Sequence, residues 1–202
     1  MRDKLIFAGA FALGFAILAA SWLNTSASQA QTSAPADAPV LEITVTGQAE
    51  GVIRIALRPD LAPGHVERVT TLAERGDYDG VIFHRVIDGF MAQTGDVEHG
   101  RPDGRRQLAG TGGSDLGNLP AEFSDEPFVA GTMGMARAQN PDSANSQFFL
   151  MFAPAPHLNG QYTVLGQVIE GQDVLNAIKR GTGPNGAVMG EPDMMESVRV
   201  VR

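Results

Sequence analysis

An arginine and a glutamine eight residues apart, Arg85 and Gln93, sit among apolar residues in the stretch FHRVIDGFMAQTGD (83–96), with no acid/base pair beside them. A guanidinium keeps its charge at any working pH and donates from a rigid fork, while a carboxamide both donates and accepts. Facing an apolar surface, such a pair can hold and polarise a ligand. Whether the two meet depends on register. A two-residue turn at Asp88-Gly89 places Arg85 opposite Ala92, whereas a three-residue loop Asp88-Gly89-Phe90 places Arg85 opposite Gln93 and Ile87 opposite Met91. In the second register Arg85, Met91 and Gln93 share one face, and His84 and Val86 point to the other. In NSQFFLMF (145–152) the period of two likewise separates Gln147, Phe149 and Met151 from Phe148, Leu150 and Phe152.

The elements that must carry these residues are mostly strands. LEITVT (41–46) and GVIRIALR (51–58) alternate apolar and polar residues about a short turn, as a half-buried hairpin does. Further strands are expected over 81–87, 90–95, 129–136, 146–152, 162–169 and 196–201. APGHVERVTTLAERG places Pro63 at the start of an amphipathic helix and Gly76 just past its end. A second helix is expected in GQDVLNAIKRG, with Val174, Leu175 and Ile178 on one face and its end at Gly181. Two helices cannot cover both faces of a parallel sheet, so the eight strands are expected to pair antiparallel and close into a barrel capped by the helices. Residues 97–128 are rich in Gly, Pro and Asp, a long connection of the kind that binds something or is disordered.

The N-terminus reads as a targeting segment. Arg2 and Lys4 precede an apolar run from Leu5 to Leu23, and small residues follow, with Ser28-Gln29-Ala30 a plausible cleavage signal before Gln31. The expected organisation is an export signal over 1–30, a flexible linker over 31–39 and one folded domain over 40–202, in the bacterial periplasm. The apolar run is also near the length of an uncleaved anchor, the one route by which a membrane becomes a partner. The net charge is −8, and residues 1–30 carry Arg2 and Lys4 against Asp3, which leaves −9 on the remainder. That charge argues against a nucleic-acid partner. Zero cysteines exclude disulfides, thiol catalysis and thiolate metal sites. The four histidines, His65, His84, His99 and His157, show no ligand spacing, so neither metal nor cofactor is expected.

Five stretches together resemble the cyclophilin family of peptidyl-prolyl isomerases: YDGVIFHRVIDGFMAQTGD (78–96), GTGG (110–113), EFSDEPF (122–128), GMARAQNPDSANSQFFL (134–150) and HLNGQYTVLGQVIEGQDVL (157–175). The resemblance covers the chain from about Leu41 to Arg202. It implies a mainly β fold, a closed eight-stranded antiparallel barrel with two capping helices and a site on its outer face, and it selects the register that joins Arg85 to Gln93. It further implies Arg85, Gln93 and Phe149 as catalytic residues. Phe90, Met91, Leu158 and Tyr162 are implied as pocket walls, Gln147 as orienting the substrate, and Ala136, Arg137 and Ala138 as backbone contacts. The implied activity is isomerisation of X-Pro bonds in exported polypeptides, by a monomer. A non-catalytic module that holds a proline-containing partner in the same groove is the alternative, although a pure binder has no chemical need for Arg85.

Such a reaction needs no acid/base pair, because nothing is broken. Resonance sets a barrier of roughly 18–20 kcal/mol to rotation about the amide bond. The twisted amide exposes a nitrogen lone pair, to which a fixed guanidinium can donate only in that state. Three departures from the family stand out. His157 aligns with a pocket Trp of many members, which implies weak binding of cyclosporin-type ligands, and the chain's only Trp is Trp22. Tyr162 stands for a common His, and Arg137 for a common Asn. His84 is expected to brace the hairpin through hydrogen bonds, the acids of EFSDEPF to be loop residues, and His99 with Arg101, Arg105 and Arg106 to be a solvated loop.

Overall fold

The computed structural model describes residues 33–202. The expected export signal over 1–30 and the first linker residues lie outside the described residues.

Nine strands form one antiparallel sheet: β1 (Val40–Thr46), β2 (Gly51–Leu57), β3 (Val81–Ile82), β4 (Arg85–Ile87), β5 (Met91–Thr94), β6 (Thr132–Met135), β7 (Phe148–Met151), β8 (Val164–Glu170) and β9 (Met194–Val201). Their spatial order is β3-β9-β1-β2-β8-β6-β7-β5-β4. The fold is mainly β and the antiparallel sheet is strongly curled, but the expected closed eight-stranded barrel is corrected in two respects. The expected strand over 81–87 is split at Phe83 and His84. Its first half pairs with β9 (Val81 to Met195) and its second with β5 (Arg85 to Gln93). Its two edge strands are therefore neighbours in sequence, and the covalent link Phe83-His84 joins them where no ladder pairs them. Phe83 turns its N–H to the Asp193 carbonyl (2.9 Å), which holds the link against β9.

Alternation along the strands sorts apolar side chains into two cores. The inner core gathers Leu41, Ile43, Ile53, Ile55, Val86, Phe148 and Leu150 with residues of both helices. The outer one gathers Met91, Phe149, Met151, Leu158 and Phe128. Residues adjacent in sequence, Phe148 and Phe149, thus serve opposite faces.

Helix α1 (Pro63–Glu74) begins at its proline, as expected, and buries His65, Val66, Val69, Leu72 and Ala73. Its first turn is capped from afar. Glu122 accepts the N–H groups of Gly64 (3.1 Å) and His65 (3.0 Å), and pairs with the His65 ring Nδ1 (2.6 Å). Burial raises the Glu122 pKa, but the bonds from His65 and Gly64 outweigh it, and the net shift is downward. One acid of EFSDEPF therefore pins the long connection to a helix. Helix α2 (Gln172–Ala177) stops short of the expected Gly181. Ile178 turns extended, and the Lys179 N–H goes to the buried Asp193 carboxylate (2.6 Å).

Candidate active site

The hairpin β4-β5 has the three-residue loop. Arg85 pairs with Gln93, Val86 with Ala92 and Ile87 with Met91, and Gly89 takes the φ of 66° that closes the loop. Arg85 Nη1 donates to Gln93 Oε1 (3.0 Å). The rest of the guanidinium is held by Asn185, whose carbonyl accepts from Nε (3.0 Å) and whose Oδ1 accepts from Nη2 (3.1 Å). A guanidinium has five N–H groups. Three positions are fixed by these bonds, so one N–H on each terminal nitrogen is left to donate elsewhere. Burial lowers the Arg85 pKa, with Tyr162 opposing the shift, and the group stays charged.

From Arg85 a directional chain of hydrogen bonds crosses to the long connection. Gln93 Nε2 donates to Gln147 Oε1 (2.9 Å), and Gln147 Nε2 donates to the Gly112 carbonyl (2.8 Å). Arg85 can only donate and a carbonyl can only accept, so the two ends dictate which way both amides face. Gly112 is itself fixed by Asp96, a fully buried carboxylate. Its Oδ2 accepts from the N–H groups of Gly110 (2.7 Å) and Gly112 (3.0 Å), and its Oδ1 from those of Glu98 (3.1 Å) and His99 (2.8 Å). A side chain at Gly112 would place its Cβ 2.5 Å from Asp96 Oδ1, which explains the glycine.

Beside this chain lies an apolar pocket of about 160 Å³, lined by Arg85, Phe90, Met91, Gln93, Ala136, Arg137, Phe149, Leu158 and Tyr162. Its floor, Phe149, meets Tyr162 edge-on at 5.8 Å and stacks on Phe128 at 5.8 Å. The rings close over Gly134, where a Cβ would lie 2.5 Å from Phe149. Ala138 and Gln147 line a second, more polar pocket of about 180 Å³ that shares Gln93, Ala136 and Arg137 with the first. His157 lines neither; it is exposed at the rim, stacked on Phe90 with ring centroids 5.7 Å apart. The N–H groups of Ala136 and Ala138 are already given to the Gln147 carbonyl and Ser143 Oγ (both 2.9 Å).

A charged donor with spare N–H groups, an oriented amide pair and an apolar pocket now stand together on the outer face, and comparison with known proteins agrees. The model of the cyclophilin-type peptidyl-prolyl cis-trans isomerase family matches residues 40–200. The chain belongs to that family. A probable peptidyl-prolyl cis-trans isomerase of Brucella suis is 50% identical over 180 residues, covering 88% of this chain and 91% of the relative. Peptidyl-prolyl cis-trans isomerase B of Bacillus subtilis is 38% identical over 150 residues, covering 73% and 90%. Among solved structures, the cyclophilin AquaCyp293 from Hirschia baltica superposes with a TM-score of 0.64 at 27% identity, over 79% of this chain and 72% of that one. A Cryptosporidium parvum cyclophilin crystallised with the dipeptide Ala-Pro shares the fold, with a TM-score of 0.67 at 22% identity over 81% and 99%.

Several residues of this isomerase's site were not among the sequence candidates. Asn185 lies a hundred residues from Arg85, and its only signal is an Asn-Gly pair in a turn-rich stretch. Phe128 and Gly134 support the pocket from behind, and Asp96 carried no motif of its own. One expectation is corrected. His84 braces the hairpin by packing rather than by a well-formed ring hydrogen bond: both ring nitrogens are buried, and among the described residues the Ile82 backbone is the only hydrogen-bonding group that acts on them. Burial drives its pKa down to about 4, with Asp96 and the Ile82 backbone opposing and Arg85 adding to the shift, so it packs as a neutral ring.

Proposed function

We propose that this isomerase acts on X-Pro bonds of exported polypeptides and that Arg85 is the group that stabilises the twisted amide. The observation that carries the role of Arg85 is its hydrogen-bond inventory. It is held by Gln93 and Asn185 yet keeps two N–H groups beside the apolar pocket. A proline ring in that pocket brings the amide nitrogen to the guanidinium, and the lone pair freed by twisting accepts the bond. Turnover near 10³ per second against an uncatalysed time of about 10–100 s requires about 7 kcal/mol. One charged hydrogen bond supplies part of this; the pocket and the oriented amides of Gln93 and Gln147 supply the rest by holding the chain either side of the bond. Phe90, Met91, Phe149, Leu158 and Tyr162 grip the ring, and His157 at the rim tunes which neighbours are accepted.

The charge, apolar and small-residue order of residues 1–30 supports export and periplasmic clients, and we take the working form to be a monomer. A protease-coupled proline-isomerisation assay of the full chain and its Arg85→Ala variant tests the catalytic role. Loss of about 10²–10³ in kcat/KM is expected for removal of a positioned donor. An inactive parent overturns the enzyme, and equal activity of the two overturns Arg85. Mass spectrometry of the secreted form tests export: a mature N-terminus at Gln31 is expected, and an intact cytoplasmic chain overturns it.

A further inference from the structure

We propose that Arg137 makes the groove selective for proline peptides carrying an acidic side chain close to the proline. The proposal rests on the isomerase reading and names the substrate class of that same site. Arg137 stands on the wall shared by the two pockets. Its guanidinium lies over the Tyr162 ring, 4.5 Å from the centroid, which fixes its plane. Nη1 donates to the carbonyls of Ala138 (2.9 Å) and Gln139 (3.2 Å), and Nη2 to the carbonyl of Gln161 (3.0 Å). Nε is buried and has no hydrogen-bond partner. Every partner is neutral.

The arginines elsewhere divide by their partners. Arg54, Arg58, Arg75, Arg180, Arg199 and Arg202 each meet a carboxylate. Arg137 and Arg85 do not, among the described residues, a state they share with Arg68, Arg101, Arg105 and Arg106, but these two alone of the six line the apolar pocket, and neither pocket is lined by an Asp or Glu. Asp142, on the loop that follows, turns its carboxylate to the Ala121 N–H (2.9 Å). A chain of net charge −8 therefore lines one pocket with two arginines and no carboxylate. The half-buried guanidinium retains one N–H on Nη2 and its full charge, held in place by stacking and three carbonyls. A carboxylate in the polar pocket meets a pre-oriented donor at little entropic cost, whereas an ammonium there is repelled.

The test uses the full chain and a peptide series with Ala, Glu or Lys at each position within three residues of the proline, on either side. Turnover of the all-Ala peptide establishes isomerisation itself. At one or more positions the Glu peptide is expected to exceed the Lys peptide in kcat/KM by about three- to tenfold, chiefly through KM, and less so in high salt. Arg137→Gln should bring that ratio close to one, and Arg137→Lys should retain most of it; the ratio cancels any general loss of activity. No Glu preference at any position, or an unchanged ratio in Arg137→Gln, overturns the selectivity and leaves the isomerase reading standing. No turnover of any peptide overturns both.

Discussion

Asn185 grips Arg85 twice, with its backbone carbonyl on Nε at 3.0 Å and its side-chain oxygen on Nη2 at 3.1 Å. It does so from φ 54°, and among the described residues no other non-glycine has a positive φ. A backbone conformation that costs on the order of 1 kcal/mol persists because it aims both oxygens at one guanidinium. Asn185→Gly keeps that conformation and the carbonyl but removes Oδ1. We expect kcat to fall about tenfold, in line with one hydrogen bond to a charged group, while KM barely moves. An unchanged kcat would remove Asn185 from the positioning of Arg85.

The fixed direction of the Gln93–Gln147–Gly112 chain makes a second prediction. Gln147→Glu presents an oxygen to the Gly112 carbonyl, so a donor is lost and two acceptors face each other. Gln93→Glu presents one oxygen to Arg85, which welcomes it, and the other to Gln147. Chemical denaturation should therefore show Gln147→Glu to be the more destabilising, by about 1–3 kcal/mol relative to the parent. The reverse order would mean that the amides are free to turn.

His84 links the hairpin to acid stability. Its folded pKa of about 4 lies below the ordinary value of 6.5. Between those values the unfolded chain takes up a proton that the folded chain refuses. Stability attributable to His84 is therefore complete above pH 6.5 and declines as pH falls toward 4, by about 3 kcal/mol in all. Denaturation curves across this window should fall less steeply for His84→Asn than for the parent. Parallel slopes would show that the ring titrates normally.

Gly134→Ala tests the pocket from behind. The added Cβ lies 2.5 Å from Phe149 and 2.6 Å from Phe128, so the floor ring must shift into the pocket. The expected cost is about 1–3 kcal/mol of stability, with KM raised for proline peptides and for any pocket ligand. A parent-like KM would show that the stack relaxes away from the pocket.

The site was legible where its signal is local. The alternation in NSQFFLMF assigns Phe148 and Phe149 to opposite faces without help from the rest of the chain, whereas the residues around Gly89 allow two hairpin registers, and only the resemblance of the longer stretch selects the one that pairs Arg85 with Gln93. The eight-strand count failed because nothing local in VIFHRVI marks where the chain passes from one edge of the sheet to the other; that break depends on Asp193, over a hundred residues away. The same distance hid Asn185. Asp96 was overlooked because a carboxylate that gathers four backbone N–H groups needs no particular side chain as partner. Helix α2 ended early for a related reason, since Asp193 captures the N–H that a further turn would have used.

The split at Phe83 and His84 also has a mechanical side. Strands β3 and β4 lie at opposite ends of the sheet order, yet only two residues separate them, and Arg85 comes next. Load placed on Arg85 by a gripped polypeptide passes through that short covalent span to β9 and thence to β1, as well as through Gln93 to β5 and β7. If a substrate is held at Arg85, both edges of the sheet share the load, and the expected outcome is that the amides of Val81 and Ile87 slow their hydrogen exchange together when a proline peptide binds.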